Sequence, residues 1–454
     1  MWPSRRIPAV LVATLIATGA SAQDAHHWNK QYGNRAYLLG GAVIGSVEDA
    51  AAVYYNPALL ALTDRASLEV SGSAYHVSEI EIEDALGAGQ DLATSIVGVA
   101  PSLVAGEISI DRDREHRLAY SLLFRHDFNV VMELRGPVSI PGLLGEADAR
   151  LSLEENVNEI WSGLSYARRL HEGFGVGASV FTTYRTHRSR RGTLVASETI
   201  GEYGVVVQRD DFDYTHVGLL AKLGAGGRAG RWRYGVSLTT PTLRIAGSGS
   251  KAYDRTLAIA EPNTGLLLEY LVAETRTGLE PDYRTQLAVG AGLAYRLGAA
   301  ELHLSAEWFD ALREYRLLDV EPILDEQTTG PIDIDLYAAS RSVINWGVGL
   351  EYRLGGRTSG YLSYHTDRST VTGRDPLGPL AVWDIHHLAA GVSLDFGNQR
   401  LALGAVYATG SEPVEGSVDL VPGTLDEAAA TSLPDDLVAR YRSVMLLVGV
   451  NVDY

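Results

Sequence analysis

Counting back from Tyr454, the alternate positions Val452, Val450, Val448, Leu446 and Val444 are all apolar. The positions between them, Asp453, Asn451, Gly449, Leu447, Met445 and Ser443, are mostly small or polar. A repeat of two is strand spacing. The pattern recurs in Ile344, Trp346, Val348, Leu350 and Tyr352, in Leu287, Val289, Ala291, Leu293 and Tyr295, and in Leu388, Ala390, Val392, Leu394 and Phe396. Each run is about ten residues, the length a tilted strand needs to cross the hydrocarbon layer of a membrane. Aromatics sit toward the ends of the apolar face, where an interfacial girdle belongs. The opposite face is crowded with glycine and small polar groups, which suits a curved wall around a lumen. A half-buried strand of a soluble sandwich alternates in the same way, so one run alone does not choose between the two.

The connections choose. About fourteen strands are predicted, beginning near Ala66, Thr94, His116, Leu153, Gly173, Phe212, Arg231, Asp282, Ala300, Ser342, Thr358, Trp383, Arg400 and Ala439. Tight turns such as Arg169-Leu170-His171-Glu172, Leu297-Gly298-Ala299, Gly355-Gly356-Arg357 and Gly397-Asn398-Gln399 alternate with long connections over 185–211, 246–281, 310–341 and 410–438. Short turns at one end and long loops at the other are the habit of an outer-membrane barrel. The expected fold is therefore all-β: a transmembrane antiparallel β-barrel of about fourteen strands over 66–454, with both ends of the strand series on the periplasmic side.

The N-terminus fixes the compartment. Arg5 and Arg6 precede an apolar run from Ile7 to Ala17, and Ala20-Ser21-Ala22 fits a small-residue cleavage site. Residues 1–22 read as a signal peptide; the other reading is a membrane-anchored N-terminus. No later apolar run is long enough and free enough of charge to span as a helix, which leaves a barrel as the spanning option. The chain of 454 residues has no cysteine, so neither a disulfide framework nor a thiolate metal site is available. Its formal charge is −18; without Arg5 and Arg6 the balance is 36 basic against 56 acidic side chains, or −20. Such a balance argues against nucleic acid as a partner.

Residues 23–65 lie between the leader and the strands. They are too polar and too glycine-broken to span as a helix. Their place suggests an N-terminal hatch of short helices in the bore. Ser46-Val47-Glu48-Asp49 has the form of a capping box, with Ala50 to Tyr54 as the helix behind it. Pro57 ends that helix. Asn56 is suited to cap a second short helix with Pro57 at its first position and Ala58-Leu59-Leu60-Ala61 following. The bland reading is a stiff elbow between two helical turns. The sharper one is an elbow that packs on the inner wall and gates the lumen.

The stretch Gly33, Arg35-Ala36-Tyr37, Gly40, Ala42, Ile44, Asp49-Ala50, Val53 and Asn56-Pro57-Ala58 resembles the hatch of the FadL/TodX family of outer-membrane transporters of long-chain fatty acids and aromatic hydrocarbons. The resemblance is close over the hatch and architectural beyond it. It implies a fourteen-stranded barrel plugged by this segment. It also implies passive uptake of a hydrophobic small molecule, gated through Gly33, Arg35, Asn56, Pro57 and Ala58. Cargo would leave after the hatch shifts, sideways through a defect in the wall. In the family that opening depends on a kink in the third strand. Here 117–128 holds no glycine or proline to force one, and Pro101 in the second strand could loosen the wall instead.

No motif fixes the lumen ligands. Arg244, Arg296 and Arg353 are candidates by alternation, and the competing reading makes them partners of the inward acids Glu307, Glu351 and Asp395. His386 and His387 are adjacent in a strand and point to opposite faces, so they do not share a metal. His26 and His27 read as solvated residues of a flexible mature N-terminus. Neither a metal site nor a cofactor is expected. Glu412, Glu415, Asp419, Asp426 and Glu427 form an acidic last loop, solvated by default, which could meet divalent ions at a lipopolysaccharide surface. The expected partners are a hydrophobic ligand, outer-membrane lipid and lipopolysaccharide, around a monomer. Two other classes stay open: a general diffusion porin, or structural outer-membrane protein, without dedicated cargo, and an outer-membrane hydrolase, for which no serine has a recognisable partner motif.

Overall fold

A computed structural model describes residues 25–63, 66–83, 92–109, 115–139, 146–199, 202–261, 266–324, 331–372, 381–413, 417–418, 431–432 and 438–454. The leader and its cleavage site lie outside these, as do Glu415, Asp419, Asp426 and Glu427 of the last connection.

The first half of the chain supplies seven long strands: β1 (Ser67–Ile82), β2 (Leu92–Ser109), β3 (His116–Ser139), β4 (Glu146–His171), β5 (Phe174–Thr199), β6 (Glu202–Ala229) and β7 (Trp232–Thr239). The second half supplies β8 (Ala288–Leu297), β9 (Ala300–Phe309), β10 (Val343–Gly355), β11 (Thr358–Asp367), β12 (Ile385–Asp395), β13 (Gln399–Pro413) and β14 (Val438–Asp453). Each pairs antiparallel with its sequence neighbours, β7 with β8 included, although a long insertion separates those two in the chain. β1 pairs with β14 from Ser67↔Asp453 to Ile82↔Ala439, which closes a 14-strand barrel. Closure removes the sheet edges that an open sheet would leave unpaired.

The alternation holds residue by residue. In β14, Val444, Leu446, Val448 and Val450 point outward, each at least 40 % exposed, while Ser443, Met445, Leu447 and Asn451 are buried. In β10, Ile344, Trp346, Leu350 and Tyr352 face out, and Asn345, Gly347 and Gly349 face in. The outer surface is thus an apolar band. Among the described residues no helix is long and apolar enough to cross a membrane.

Four expectations about the strands and their connections need correction. The segment 185–211 is not a loop: β5 and β6 run on through it and pair from Phe174↔Gly227 to Thr199↔Glu202. The fourth strand starts at Glu146, ahead of Leu153, because it follows the same extension. The segment 246–281 is largely a hairpin, Leu243–Glu261 with Leu266–Leu279, whose first arm pairs with the upper part of β6. Residues 310–341 contain a further short pair, Leu312–Leu318 with Leu336–Ser340. These outer elements share an apolar cluster that includes Phe212, Tyr253, Tyr283, Leu318 and Leu336.

Candidate functional site

Residues 25–63 are buried almost throughout and pack against inward-facing side chains around the wall. They form α1 (Asn34–Leu38), α2 (Ala52–Tyr55) and a 3-10 turn over Pro57–Leu62. The expected capping box at Ser46 is absent. α2 starts only at Ala52, and Ser46 Oγ instead meets His303 Nδ1 of β9 at 2.8 Å. The second cap is as expected: Asn56 Oδ1 accepts the Ala58 N–H at 3.2 Å with Pro57 next to it.

The inward glycines and serines that suggested a lumen lining are the seat of this segment. Its backbone comes so near the wall that a methyl group on Gly177 would stand 2.6 Å from Pro57 C and one on Gly175 2.7 Å from the Ala58 carbonyl oxygen. Gly224 and Gly235 lie against Asn56, Gly292 against Gly45, Gly391 and Gly404 against Leu38, and Gly449 against Asn34. Serines between them bind the segment's backbone. Ser179 Oγ donates to Val53 O at 2.8 Å, Ser363 Oγ donates to Leu38 O at 3.0 Å, and Ser305 Oγ accepts the Ile44 N–H at 3.1 Å.

The matched hatch residues each have a structural task. Gly33 caps α1 at φ 90°, a conformation that favours glycine, and its N–H reaches Ser71 Oγ at 3.1 Å. Arg35 is buried; its Nη2 lies 2.7 Å from Glu351 Oε2 and its Nη1 donates to Ser46 O at 2.9 Å. Glu351 and the other carboxylates around Arg35 hold the guanidinium charged despite its burial, raising its pKa. Asn56 is fully buried, and its Nδ2 donates to Ile44 O at 3.0 Å and to Ala225 O of β6 at 3.2 Å, clipping the elbow to the wall. A further clip is Glu69 of β1, fully buried, which accepts the Asn34 N–H at 2.6 Å and the Ala51 N–H at 3.1 Å.

The lumen candidates separate. Glu351 and Glu307 are bound to the N-terminal segment: Glu307 accepts Trp28 Nε1–H at 2.8 Å and stands 3.5 Å from Lys222 Nζ. Arg296 pairs with Glu301 at 3.2 Å, and Arg244 with Glu280 at 2.8 Å near the outer end of the wall. Arg353 is exposed beside the turn that follows β10. The structure does not gather these arginines into one site, nor are their ion-pair partners Glu307, Glu351 or Asp395. His26 and His27 also differ from expectation. His26 is buried, and His27 stacks on Phe309 with ring centroids 4.1 Å apart. The chain has turned into the bore by residue 25. His386 and His387 do point to opposite faces, and among the described residues no cluster of His, Asp and Glu is arranged to hold a metal.

Above the hatch lies a cavity of about 100 Å³ lined by Tyr54, Trp161, Tyr283, Phe309, Arg125 and Lys222, among others. A cavity of roughly 150 Å³ is enough to hold benzene, so the space is on the scale of a small ring or a length of alkyl chain. Its charges are mostly engaged. Lys222 faces Glu307, and Glu159 accepts from Arg185 at 2.8 Å. Arg125 lies among the rings of Tyr32, Tyr54 and Trp161, its Cζ 5.4 Å to 5.9 Å from their centroids, and donates to Tyr32 Oη and His27 O at 3.2 Å each.

Arg125 also marks a break in the wall. The β3–β4 register shifts between Phe124 and His126, and Arg125 and His126 are buried in succession, as at a β-bulge. β2 pairs with β3 only from Leu103↔Leu123 to Ser109↔Arg117, although β2 continues along β1 to Leu92 and β3 continues along β4 to Ser139. Beyond Leu103 the two strands part. Val97 and Val99 are 63 % and 70 % exposed there, and Thr94 Oγ1 donates to Val131 O at 3.3 Å farther out. Pro101 stands where the ladder ends, as anticipated. The third strand nonetheless bends without glycine or proline. A second cavity of about 50 Å³, lined by Lys30, Tyr37, His76, Arg125, His126 and Asp127, lies at this bulge, and Arg125 and His126 border both spaces.

Comparison with known proteins gives a likeness of fold. No family model and no curated protein matches the chain. A Pseudomonas aeruginosa FadL homologue superposes with a TM-score of 0.56 at 13 % identity, covering 97 % of this chain and 99 % of its own. The P. putida toluene transporter TodX gives 0.58 at 13 % identity over 93 % and 99 %. The Ralstonia pickettii toluene transporter TbuX gives 0.54 at 14 % over 93 % and 98 %.

Proposed function

We propose that this chain is an outer-membrane channel for passive uptake of hydrophobic small molecules, gated by the hatch over residues 23–65. The carrying observation is the juxtaposition of an aromatic-lined cavity, a buried N-terminal segment that floors it, and a gap between β2 and β3 at the same level. A polar solute passing by diffusion would need an open aqueous bore, which the buried segment at 25–63 fills. A hydrophobic molecule needs only rings to rest on and a side exit into lipid. The neighbours named as FadL and toluene transporters support the same reading.

In this reading cargo enters from the outer end, partitions into the cavity above Tyr54, and waits on Arg125 and Tyr32. A shift of the hatch frees Arg125, and the cargo moves past the bulge to the gap and into the bilayer. A small hydrocarbon, or one stretch of a fatty-acid chain at a time, suits the space. The protein is exported by its cleaved leader, functions as a monomer and meets lipopolysaccharide with its outer loops. The test is uptake of radiolabelled fatty acid and of toluene by cells with and without the protein, beside liposome swelling with sugars. Cargo uptake without sugar permeation is the expected result. Free passage of sugars, unchanged by deletion of 23–62, would establish a diffusion porin instead.

A further inference from the structure

The first described residues of the hatch, 25–28, are tied to the wall by groups that titrate. The Trp28 N–H donates to Asp367 Oδ1 at 2.9 Å, and Trp28 O lies 3.2 Å from His365 Nε2. His26 Nδ1 stands 3.5 Å from Asp367 Oδ2. The His365 ring lies on that of His387 with centroids 4.2 Å apart and planes 6° apart. His26, His365 and His387 are 6 %, 2 % and 1 % exposed, and Asp367 is fully buried. Both ring nitrogens of His387 and Nδ1 of His365 have no hydrogen-bond partner among the described residues, and His26 faces the backbone of Asp367 and Ala381.

Three buried imidazoles, two of them with unpaired nitrogens, favour the neutral form here. Bonding to Trp28 O makes His365 Nε2 the protonated nitrogen, so a second proton would enter at its unpaired Nδ1, against His387. The charged groups around the cluster do not offset three protons. Among the described residues Asp367 is the one carboxylate in contact; its Oδ1 already serves Trp28 and Asn345 Nδ2, and its unpartnered Oδ2, 3.5 Å from His26 Nδ1, can balance one proton but not those on His365 and His387. His27 and Arg341 face His26 and oppose its charging, and Arg125 lies near Asp367 from across the bore. Asp384 lies near Asp367 as well, and His386 is on the far face of β12. Burial holds His26 down to about 3 in place.

We propose that residues 25–28 form an acid-released strap: protonation of the His26, His365 and His387 cluster frees them from β11 and opens the lumen cavity on the side that Ala25 and His27 close. The sign follows from linkage. The histidines bind protons more readily once the strap has left and water has entered, so docking is fully present above about pH 6.5 and is lost as pH falls. Each proton excluded from the docked state lowers the docking constant about tenfold per pH unit below that value.

Amide hydrogen exchange over residues 25–32, in the full-length barrel in detergent and without cargo, tests this. Wild type and a His26→Phe/His387→Phe variant are compared at the same pH, so intrinsic exchange chemistry cancels. His365 is left in place because it binds Trp28 O. Protection of the β1–β14 ladder in both proteins serves as the check on folding. The expected result is that wild-type protection of the strap falls at least tenfold more than the variant's between pH 7.5 and pH 5.5. Equal losses in the two proteins, or full wild-type protection at pH 5, would overturn the strap. It rests on the uptake reading only for its consequence. Release on acid in a protein that carries no hydrophobic cargo at either pH supports the strap and counts against uptake alone.

Discussion

Arg35 Nη2 and Glu351 Oε2, 316 positions apart in the chain, lie 2.7 Å from each other, and Arg35 Nε donates to the same oxygen at 2.8 Å. One partner belongs to the N-terminal segment and the other to β10, so the pair joins hatch to wall. Breaking a fully buried pair by removing one member costs about 3 to 5 kcal/mol; the Glu351 side chain is 20 % exposed, so the cost here lies below that range. Arg35→Ala is therefore expected to loosen the hatch, read as hydrogen exchange over 33–47. Arg35→Ala/Glu351→Ala should cost less than the two single changes added together. Additive costs would mean that the two side chains do not act as a pair.

The glycine seat makes a steric prediction. Gly177→Val and Gly292→Val place side-chain atoms where Pro57 and Gly45 already stand. Overpacking of this kind typically costs about 1 to 3 kcal/mol, and the softer partner, the hatch, should yield. Single-channel conductance in planar bilayers should rise while the heat-modifiable gel mobility of the folded barrel persists. Gly356→Ala meets nothing within 4 Å and is the control that should leave both unchanged.

Glu69 binds two backbone N–H groups, one with each carboxylate oxygen. A glutamine keeps one acceptor and turns an N–H₂ toward the other donor. Glu69→Gln is expected to cost about 1 to 3 kcal/mol of hatch docking. Asp49 beside it is pushed above the usual aspartate range by burial. A carboxyl raised in the docked state holds its proton more firmly there, so its contribution fades as pH climbs from 3.8 toward the raised value. Asp49→Asn should remove that slope from the pH profile of hatch protection; an unchanged profile would assign it to another group.

Pro101 lacks the N–H a ladder needs, and the β2–β3 pairing ends just beyond it. Pro101→Thr is expected to let the two strands zip farther, protecting amides over 124–130 and slowing release of cargo into the membrane. Protection without slower release would mean that the gap is not the exit.

The strands that contact lipid were legible because their outward side chains are apolar and their inward ones small. Ile344 to Tyr352 could be read directly for that reason. The run from Arg185 was not, since both faces of 185–193 are polar. Arg185, His187 and Arg191 point inward to Glu159 and Glu155, while Arg188 and Arg190 point out. Pairing there rests on the ladder and on ion pairs, which leave no apolar period. The cap at Asn56 was legible from its chemistry and the proline that follows it. Arg125 was not, because its bulge answers to the rings of Tyr32 and Tyr54, which are remote in sequence. His26 and His27 were misplaced for the same reason: nothing local says that a polar N-terminus turns inward to meet β11.

The seat of residues 25–63 is assembled from both extremities of the strand series: Glu69 and Ser71 come from β1, Gly449 from β14. The segment synthesised first must therefore wait for the strands synthesised last. Until β14 meets β1 it has no complete surface to settle on, and the long-range contacts that would reward its ordering do not yet exist. Docking of residues 25–63 is thus expected to follow closure of the barrel, and a barrel closed before that docking has an unfilled bore.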